Sequence, residues 1–427
     1  FKQKTAYEML RSLVGSEMCI RDSPWTPSRW FRRATSMAKR VGMEVSIAAA
    51  EAVGLADVDV IAAYPITPQT HIVEHLSELV ASGHLDAEFI PVESEHSAMS
   101  CCVGSSAAGA RTFTSTSSQG YALMAEICYI ASSLRLPIVM VTANRALSAP
   151  ISIWNDHADL MMARDTGWIQ TVAENGQEVV DLIFHAFRVA EDHRVLLPVM
   201  VNLDGFILSH VIEPILLPDK AEVEAYLPHY APKLRLDPKR PVSIGPVGMP
   251  DVYTEAKKAH DEVLKGSRVV IEEAWDDFEA KFGRRYRAVE TYRAEDAETM
   301  LITMGSISET AMTAVDGMRE RGKKVGLTRI RLWRPFPAQD LFDAVKGAKQ
   351  LAVVDRAMNF NALCGPVCGE IKSVLFDRGH TPYVKNYIAG LGGRDVTVEN
   401  FTEMVEGAEL SARRGDPMGY ELINLKE

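Results

Sequence analysis

The stretch Val58-Asp-Val-Ile-Ala-Ala-Tyr-Pro-Ile-Thr-Pro-Gln-Thr70 decides the fold, because an apolar β-branched run passes directly into a polar turn. Three further apolar runs, at residues 89–92, 112–114 and 136–141, are also followed by polar residues. Segments with helical periodicity separate the runs, which is the pattern of βαβ units and a parallel sheet. The sequence therefore predicts an α/β fold with a parallel-sheet first domain.

Four polar clusters occur where these runs end. They are Tyr64-Pro-Ile-Thr-Pro-Gln-Thr70, Glu93-Ser-Glu-His96, Thr114-Ser-Thr-Ser-Ser-Gln-Gly120 and Asn144-Arg-Ala-Leu-Ser-Ala-Pro150. The carboxyl ends of parallel strands share one edge of a sheet, and ligands bind there. The clusters are thus predicted to form one wall of a cofactor site, whereas the alternative is that they are ordinary strand-to-helix turns.

Two helices are predicted beside these clusters. Thr67 supplies an N-cap hydroxyl and Pro68 the first helical position of a helix that ends near Gly83. A second helix, over about 94–108, is rich in Ala, Ser and Gly, which permit close packing against another helix or chain.

The chain divides into five predicted parts. Residues 1–36 resemble a non-native leader, with the native start expected at Met37 or Met43 and a transit peptide as the alternative. The first domain is expected at 43–212, and a proline-rich linker or covering segment at 213–265. A second, smaller α/β domain is expected at 266–395 and a C-terminal tail at 396–427.

Composition limits the classes of function. The 427 residues carry a formal net charge of −11, which argues against a nucleic-acid-binding surface. No apolar run approaches the ~18 residues that cross a bilayer, so a cytoplasmic protein is predicted. Six cysteines, with Cys364-x-x-x-Cys368 as the close spaced pair, favour buried thiols over a metal or iron–sulfur site. No metal ligands are therefore expected in this chain.

Glu95 is the candidate for activating a cofactor. A buried carboxylate beside a heteroaromatic nitrogen can hold that nitrogen protonated, as thiamine diphosphate requires at its aminopyrimidine ring. Glu93, two residues away, is the competitor, and the alternative is that both are carboxylates at a helix N-terminus.

Arg145 and Thr67 are candidates for holding a 2-oxoacid. The Arg145 guanidinium offers a planar fork of donors for a carboxylate, and the Thr67 hydroxyl can donate to the same group. Trp154-Asn-Asp-His157 adds Asn155, Asp156 and His157, which either contact the substrate or relay protons, or order the loop.

Several motifs together resemble the alpha subunit of pyruvate:ferredoxin oxidoreductase, in the multi-subunit form of the 2-oxoacid:ferredoxin oxidoreductase family. They are Tyr64-Pro-Ile-Thr-Pro, Ser94-Glu-His96, Thr116-Ser-Ser-Gln-Gly120, Asn144-Arg-Ala-Leu-Ser-Ala-Pro and Trp154-Asn-Asp-His157. The resemblance covers about residues 43–400. It implies a pyrimidine-side thiamine diphosphate domain followed by a transketolase C-terminal-like domain.

The resemblance also implies partners. A beta subunit would hold the diphosphate, Mg²⁺ and a 4Fe–4S cluster, a delta subunit two more clusters, and a gamma subunit a further domain. This chain has no Gly-Asp-Gly motif for a diphosphate-bound metal and no cysteine clusters, as expected of a subunit that supplies only one half of the cofactor site.

By the same resemblance the pyrimidine-contacting glutamate is Glu95, and the substrate-contacting residues are Thr67 and Arg145. Tyr64, Pro65 and Gln119, in the matching motifs, are expected to lie at the cofactor. Gly390-Leu-Gly-Gly-Arg-Asp395 resembles a motif near that subunit's C-terminus, although no strand is predicted before it, as a phosphate loop would require.

The implied reaction is oxidative decarboxylation of pyruvate with coenzyme A to acetyl-CoA, CO₂ and reduced ferredoxin. A branched-chain 2-oxoacid such as 3-methyl-2-oxobutanoate is the main alternative substrate, because a hydrophobic pocket separates one methylene by only ~1–3 kcal/mol. Oxalate is a more distant one, since its second carboxylate would call for another cation. A non-catalytic scaffold subunit is the alternative of another class. A dinucleotide-binding oxidoreductase is disfavoured because no Gly-x-Gly-x-x-Gly follows the first strand.

Overall fold

The computed structural model describes residues 39–416 and 419–426, so the predicted leader at 1–36 lies outside the described residues. The strands are β1 (Lys39–Glu44), β2 (Val60–Ala63), β3 (Glu88–Pro91), β4 (Thr112–Thr116), β5 (Ile138–Asn144), β6 (Ile169–Val172), β7 (Val199–Asp204), β8 (Ile212–Leu217), β9 (Val289–Tyr292), β10 (Thr299–Thr303), β11 (Val325–Ile330), β12 (Leu332–Arg334), β13 (Gln350–Asp355), β14 (Tyr383–Ile388) and β15 (Tyr420–Leu422).

Helices alternate with most of these strands. They are α1 (Val45–Leu55), α2 (Thr70–Ala81), α3 (Glu95–Ala108), α4 (Ser118–Ser133), α5 (Ala158–Met162), α6 (Gly176–Ala190), α7 (Lys220–Tyr226), α8 (Tyr253–Phe282), α9 (Ile307–Glu320), α10 (Ala338–Val345), α11 (Pro366–Asp377) and α12 (Val398–Arg414).

The first sheet has seven strands in the order β12-β6-β7-β5-β4-β2-β3. All neighbours pair in parallel except β12, which runs antiparallel to β6. The central strands β4 and β5 are buried along their whole length, as expected when helices cover both faces of a parallel sheet. The predicted α/β parallel-sheet domain is confirmed.

Two apolar cores cover this sheet, one on each face. The first is formed by α1, α2, α6 and α8, and the second by α3 and α4. The close packing predicted for residues 94–108 is with α4 of the same chain, where Met99 and Cys102 meet Tyr121 and Met124 in the second core. The packed helices therefore hold the polar residues at the carboxyl ends of the strands in fixed positions.

The second sheet has six strands in the order β15-β14-β13-β10-β11-β9, all parallel except β9. Helices α10 and α11 cover one face, and α9 and α12 the other. A smaller α/β domain was predicted here, and the structure has one.

The predicted domain boundaries differ from the structure in two places. Helix α8 begins inside the predicted linker and continues past residue 265, and its buried Val270, Ile271 and Trp275 belong to the core of the first sheet. The predicted tail is also part of the second domain: α12 buries Phe401 against the second sheet, and β15 pairs with β14. The amphipathic period of both helices, not the proline content, decides their packing.

A two-stranded antiparallel sheet, β1 with β8, packs beside the first domain. It places Glu44, at the end of β1, and Ile212, at the start of β8, opposite each other. Among the described residues no helix is long and apolar enough to cross a membrane.

Candidate active site

The loops that follow β2, β4 and β5 lie side by side, because these strands are neighbours in the first sheet. Gln69 is buried and joins the loop after β2 to the end of β4: its Nε2 donates to the carbonyl of Tyr64 at 3.0 Å and to the carbonyl of Ser115 at 3.0 Å. Two of the predicted polar clusters, at 64–70 and 114–120, therefore meet at this edge of the sheet.

The N-terminus of α2 differs from the prediction. The helix begins at Thr70 with Gln69 as its N-cap, and residues 67–69 form a turn, so Thr67 is not the cap and Pro68 is not the first helical residue. The peptide between Thr67 and Pro68 is cis. Because the side chain of Gln69 is held by Tyr64 and Ser115, the turn is fixed before the helix starts.

Glu95 and Glu93 have different environments. Glu95 is the first residue of α3 and is 6% exposed, and Ser94 caps the helix by accepting from the Ser97 N–H at 3.3 Å. Glu93 is exposed, and its hydrogen bond from the Ser97 hydroxyl lowers its pKa. Burial thus favours Glu95 over Glu93 as the candidate carboxylate.

The Glu95 carboxylate makes no hydrogen bond or ion pair with any residue that the structure describes. The nearby Thr116 hydroxyl is buried and also has no partner within the described part of the chain. A Cβ at Gly120 would lie 2.5 Å from Glu95 Oε1 and 2.5 Å from Thr116 Oγ1. Because no described residue pairs the Glu95 carboxylate, it can accept a hydrogen bond from a polar ligand such as an aminopyrimidine ring.

Arg145 is 6% exposed and is held in one orientation. Its Nε donates to the carbonyl of Ser152 at 2.7 Å and its Nη1 to the carbonyl of Thr67 at 2.9 Å. Its Nη2 donates to no residue among those the structure describes, and burial lowers the pKa of the guanidinium. The remaining donors are available for a carboxylate ligand.

Thr67 lies next to Arg145, as the hydrogen bond between them shows. Its side chain is exposed, as are Tyr64 and Pro65. Gln119 is half-buried, and its Oε1 accepts from the Ser118 hydroxyl at 2.6 Å. All of these residues follow strands at the same edge of the sheet.

Asp159 joins the loops after β4 and β5 and was missed by the sequence analysis. Its buried carboxylate accepts from the main-chain N–H groups of Ser118 at 2.9 Å and Arg145 at 3.0 Å, and from Asn144 Nδ2 at 2.9 Å. Burial raises the pKa of Asp159 to about 7, although these donors favour the charged form. The sequence feature that could have indicated Asp159 is that it is an acid among the apolar residues of α5.

Asn155 and His157 are buried and bond to Asp204, at the end of β7. Asn155 Nδ2 donates to Asp204 Oδ1 at 2.7 Å, and His157 Nε2 lies 2.8 Å from the same oxygen. Asn155 Oδ1 also accepts from Arg356, which follows β13 of the second sheet. Their polar atoms are thus used to join the two domains, which favours the loop-ordering alternative, and a substrate role stays a prediction.

Asp156 joins the same segment to the glycine motif at 390–395. Its Oδ2 accepts from the N–H of Gly392 at 3.3 Å, and burial raises the pKa of Asp156. A Cβ at Gly393 would lie 2.6 Å from Cβ of Trp154, so only glycine permits this approach. Strand β14 does precede the motif, contrary to expectation, but the motif packs against residues 154–156.

Comparison with known proteins identifies the family. The model described as "Pyruvate flavodoxin/ferredoxin oxidoreductase, thiamine diP-bdg" matches residues 51–276. The chain belongs to the pyruvate flavodoxin/ferredoxin oxidoreductase family. A second family model, "Pyruvate:ferredoxin oxidoreductase core domain II", matches residues 297–401, in the second α/β domain of this oxidoreductase.

Relatives of this oxidoreductase chain match it over nearly their whole length. Pyruvate synthase subunit PorA of Methanocaldococcus jannaschii is 50% identical over 365 residues, covering 85% of this chain and 93% of the relative. PorA of Pyrococcus abyssi is 49% identical, covering 88% and 95%. Ketoisovalerate oxidoreductase subunit VorA of Pyrococcus horikoshii is 44% identical, covering 84% and 91%.

Solved structures show the same fold. A 2-oxoglutarate:ferredoxin oxidoreductase from Magnetococcus marinus matches with a TM-score of 0.64 at 20% identity, over 87% of this chain and 65% of that chain. A split-gene transketolase matches with a TM-score of 0.50 at 14% identity, over 86% of this chain and 98% of that chain. The predicted family, the enzyme class, the fold class and thiamine diphosphate as cofactor are confirmed.

Proposed function

We propose that this chain is the alpha subunit of a coenzyme A-acylating pyruvate:ferredoxin oxidoreductase that works in the cytoplasm, and that Glu95, Arg145 and Thr67 are its catalytic residues. The observation that carries the proposal is the position of Glu95: the residue is buried, its carboxylate bonds to no described residue, and it lies at the sheet edge where the Arg145 guanidinium is also held. A carboxylate that no protein group pairs can accept a hydrogen bond from a ligand.

Glu95 acts on the cofactor. Thiamine diphosphate, when bound, supplies a nucleophilic carbon that adds to the keto group of a 2-oxoacid and accepts the electrons left by decarboxylation. Glu95 would hold a proton on the pyrimidine ring nitrogen, because the residue is buried against Gly120 and no described residue pairs its carboxylate. Tyr64, Pro65 and Gln119 would contact the cofactor from the loops after β2 and β4.

Arg145 and Thr67 hold the substrate. The Nη2 donors of Arg145 would bind the oxoacid carboxylate, since Nε and Nη1 are already bonded to the carbonyls of Ser152 and Thr67. The exposed Thr67 hydroxyl would donate to the carboxylate or to the keto oxygen, where negative charge develops. A guanidinium fixed in advance binds a carboxylate at a smaller entropic cost than a mobile one.

The rest of the reaction is assigned to partner chains. The described cysteines include Cys102 and Cys128, whose pKa values are raised by burial in the core, and no described cysteine belongs to a group of three metal ligands. A beta subunit would then hold the diphosphate, Mg²⁺ and a 4Fe–4S cluster. Gamma and delta subunits, ferredoxin and coenzyme A complete the proposed complex.

Pyruvate is the proposed substrate, and a branched-chain 2-oxoacid is the alternative that the relatives keep open. The ketoisovalerate relative, at 44% identity, falls within the range of the pyruvate synthase relatives, from 40% in Methanosarcina barkeri to 50%. Identity therefore does not separate the two substrates.

The test is coenzyme A-dependent reduction of a viologen dye by the complex purified with this chain. Pyruvate and 3-methyl-2-oxobutanoate are compared at equal, low concentration, so that the rates report kcat/KM. A higher rate with pyruvate supports the proposal, and a higher rate with the branched-chain acid replaces the substrate. Activity with neither acid, in a complex that contains thiamine diphosphate, would favour the scaffold role.

A further inference from the structure

Two histidines and a glutamate from distant parts of the sequence converge beside the first domain. Glu44 ends β1, His71 lies in the first turn of α2, and His210 precedes β8. One ligand atom from each lies within 4.8 Å of the other two, and this is the one such group among the residues that the structure describes. Sequence spacing predicts no metal ligands here, because none of the three is near another in the chain.

The geometry of the group fits a cation. His71 Nδ1 lies 2.6 Å from Glu44 Oε1, so the ring N–H donates a hydrogen bond to the carboxylate. The rings of His71 and His210 lie 4.7 Å apart between centroids. Ligand atoms about 2.0–2.1 Å from a tetrahedral zinc ion stand roughly 3.3 Å from one another. An ion that replaces the proton between His71 Nδ1 and Glu44 Oε1 would therefore need only small side-chain movements.

The surroundings of His210 orient its ring. Its Nδ1 lies 2.7 Å from Ser209 Oγ, and that hydroxyl also accepts from the N–H of Phe206 at 2.8 Å. A hydroxyl oxygen that accepts from Nδ1–H leaves the Nε2 lone pair free, which is the arrangement found around metal-bound histidines. Phe206 packs on the ring with 4.6 Å between centroids.

We propose that Glu44, His71 and His210 form a binding site for one divalent transition-metal ion, and that Zn²⁺ is the ion it takes. Two imidazole nitrogens and one carboxylate oxygen are a zinc ligand set, with water in the fourth position. This inference does not depend on the proposed function.

The bound ion would tie together three elements. His71 lies four residues after Thr67 in the chain. A Cβ at Gly205 would lie 2.5 Å from Cγ of Pro68, so the segment that leads to His210 packs directly on the same loop. Zinc at this position therefore stabilises the loop after β2 from its outer side.

The test measures zinc binding by the purified complex that contains this chain. The complex is treated with a chelator, dialysed, and titrated with ⁶⁵Zn²⁺ in equilibrium dialysis. Wild type is expected to bind one more zinc ion per copy of this chain than His71→Gln or His210→Gln, whose affinity at the site should fall by at least ~100-fold. Zinc should also raise the thermal midpoint of wild type more than that of either variant.

His75→Gln is the matched control. His75 lies one turn further along α2 and also faces carboxylates: its Nε2 contacts Glu51 at 2.7 Å and its Nδ1 contacts Glu78 at 3.5 Å. Among the described residues it belongs to no group of three possible metal ligands. This variant should bind zinc as wild type does. Glu44→Gln, which keeps a hydrogen-bonding partner for His71, replaces His210→Gln if that variant does not assemble. Equal zinc binding by wild type and all ligand variants would overturn the proposal.

Discussion

Glu93 and Glu95 are two residues apart, yet only Glu95 is buried. The reason is the start of α3: Ser94 is the extended N-cap, and the residue after it turns inward toward Gly120. Glu93 remains in solvent and bonds to Ser97. The extended conformation of one residue, Ser94, therefore decides which of two nearby glutamates is buried.

Glu95→Gln should reduce kcat of the assembled complex by at least ~100-fold, because an amide cannot hold and release the proton in general acid–base catalysis. Glu93→Gln is the control and should retain near-normal turnover, since its side chain is exposed. Both are measured by viologen reduction, with thiamine diphosphate content and subunit composition determined on the same samples. Normal turnover of an intact Glu95→Gln complex would contradict the assignment.

Arg145→Lys should raise KM for the oxoacid by about 10-fold or more and lower kcat less. Lysine keeps the charge but loses the planar fork, and it cannot bond to Ser152 and Thr67 while also binding a carboxylate. KM for coenzyme A serves as the internal control and should not change. An unaltered oxoacid KM would remove Arg145 from the substrate site.

The helix pair α3 and α4 is the element that presents Glu95. The glycine at position 120, in the first turn of α4, leaves room for the Glu95 carboxylate and the Thr116 hydroxyl. By contrast, Gly104 lies on the exposed side of α3 and a Cβ there would have no neighbour within 4 Å. Gly120 is thus required for space beside Glu95, whereas the space around Gly104 would accept a larger residue.

Gly120→Ala should lower activity by at least ~10-fold, because its methyl group would displace the Glu95 carboxylate, and small misplacements of a catalytic group are costly. Gly104→Ala is the matched control: it should leave activity unchanged and stabilise α3 by about 0.5–1 kcal/mol. Turnover and thermal unfolding of both complexes check these expectations. Equal activity of the two variants would mean that Glu95 does not need its present position.

At the scale of the whole molecule, buried charges join the two sheets. Arg356 follows β13, and Asp204 ends β7. The Arg356 Nη1 donates to Asp204 Oδ2 at 2.5 Å. Burial alone would raise the pKa of Asp204, but the Arg356 guanidinium and the His157 ring outweigh it and hold that pKa well below its usual range. Arg331, the single residue between β11 and β12, makes a similar link to Glu178 at 2.6 Å.

Arg356→Gln should destabilise the protein by about 3–5 kcal/mol at neutral pH, because the Asp204 charge stays buried without its cation. In wild type, the depressed pKa means that Asp204 contributes stability above about pH 4, and that this stability is lost as the pH falls through the folded-state value. In the variant, burial raises the pKa, so the charged form is disfavoured. The difference in thermal midpoint between the two proteins should therefore widen from pH 5 to pH 8.

Arg321→Gln serves as the control, since Arg321 is exposed and makes no ion pair with the residues that the structure describes. Its thermal midpoint should follow wild type at each pH. If the difference in thermal midpoint between Arg356→Gln and wild type does not change with pH, the loss of stability does not come from an unpaired Asp204 charge.

The α/β class, most strand and helix positions around the site, and the candidate residues Glu95, Arg145 and Thr67 could be predicted from the sequence alone. This was possible because apolar periodicity and the residues that follow a strand are local features. The choice of Glu95 over Glu93, however, depended on which of them α3 turns toward Gly120.

The remaining features depend on contacts between distant parts of the chain. Asp159 bonds to Ser118 and Arg145, which are 41 and 14 residues away, and no local pattern indicates such a contact. The same holds for strand β12, which joins the first sheet from within the second domain, and for the convergence of Glu44, His71 and His210. Packing of buried surfaces brings these groups together, and the free energy of that packing is shared among residues throughout the chain.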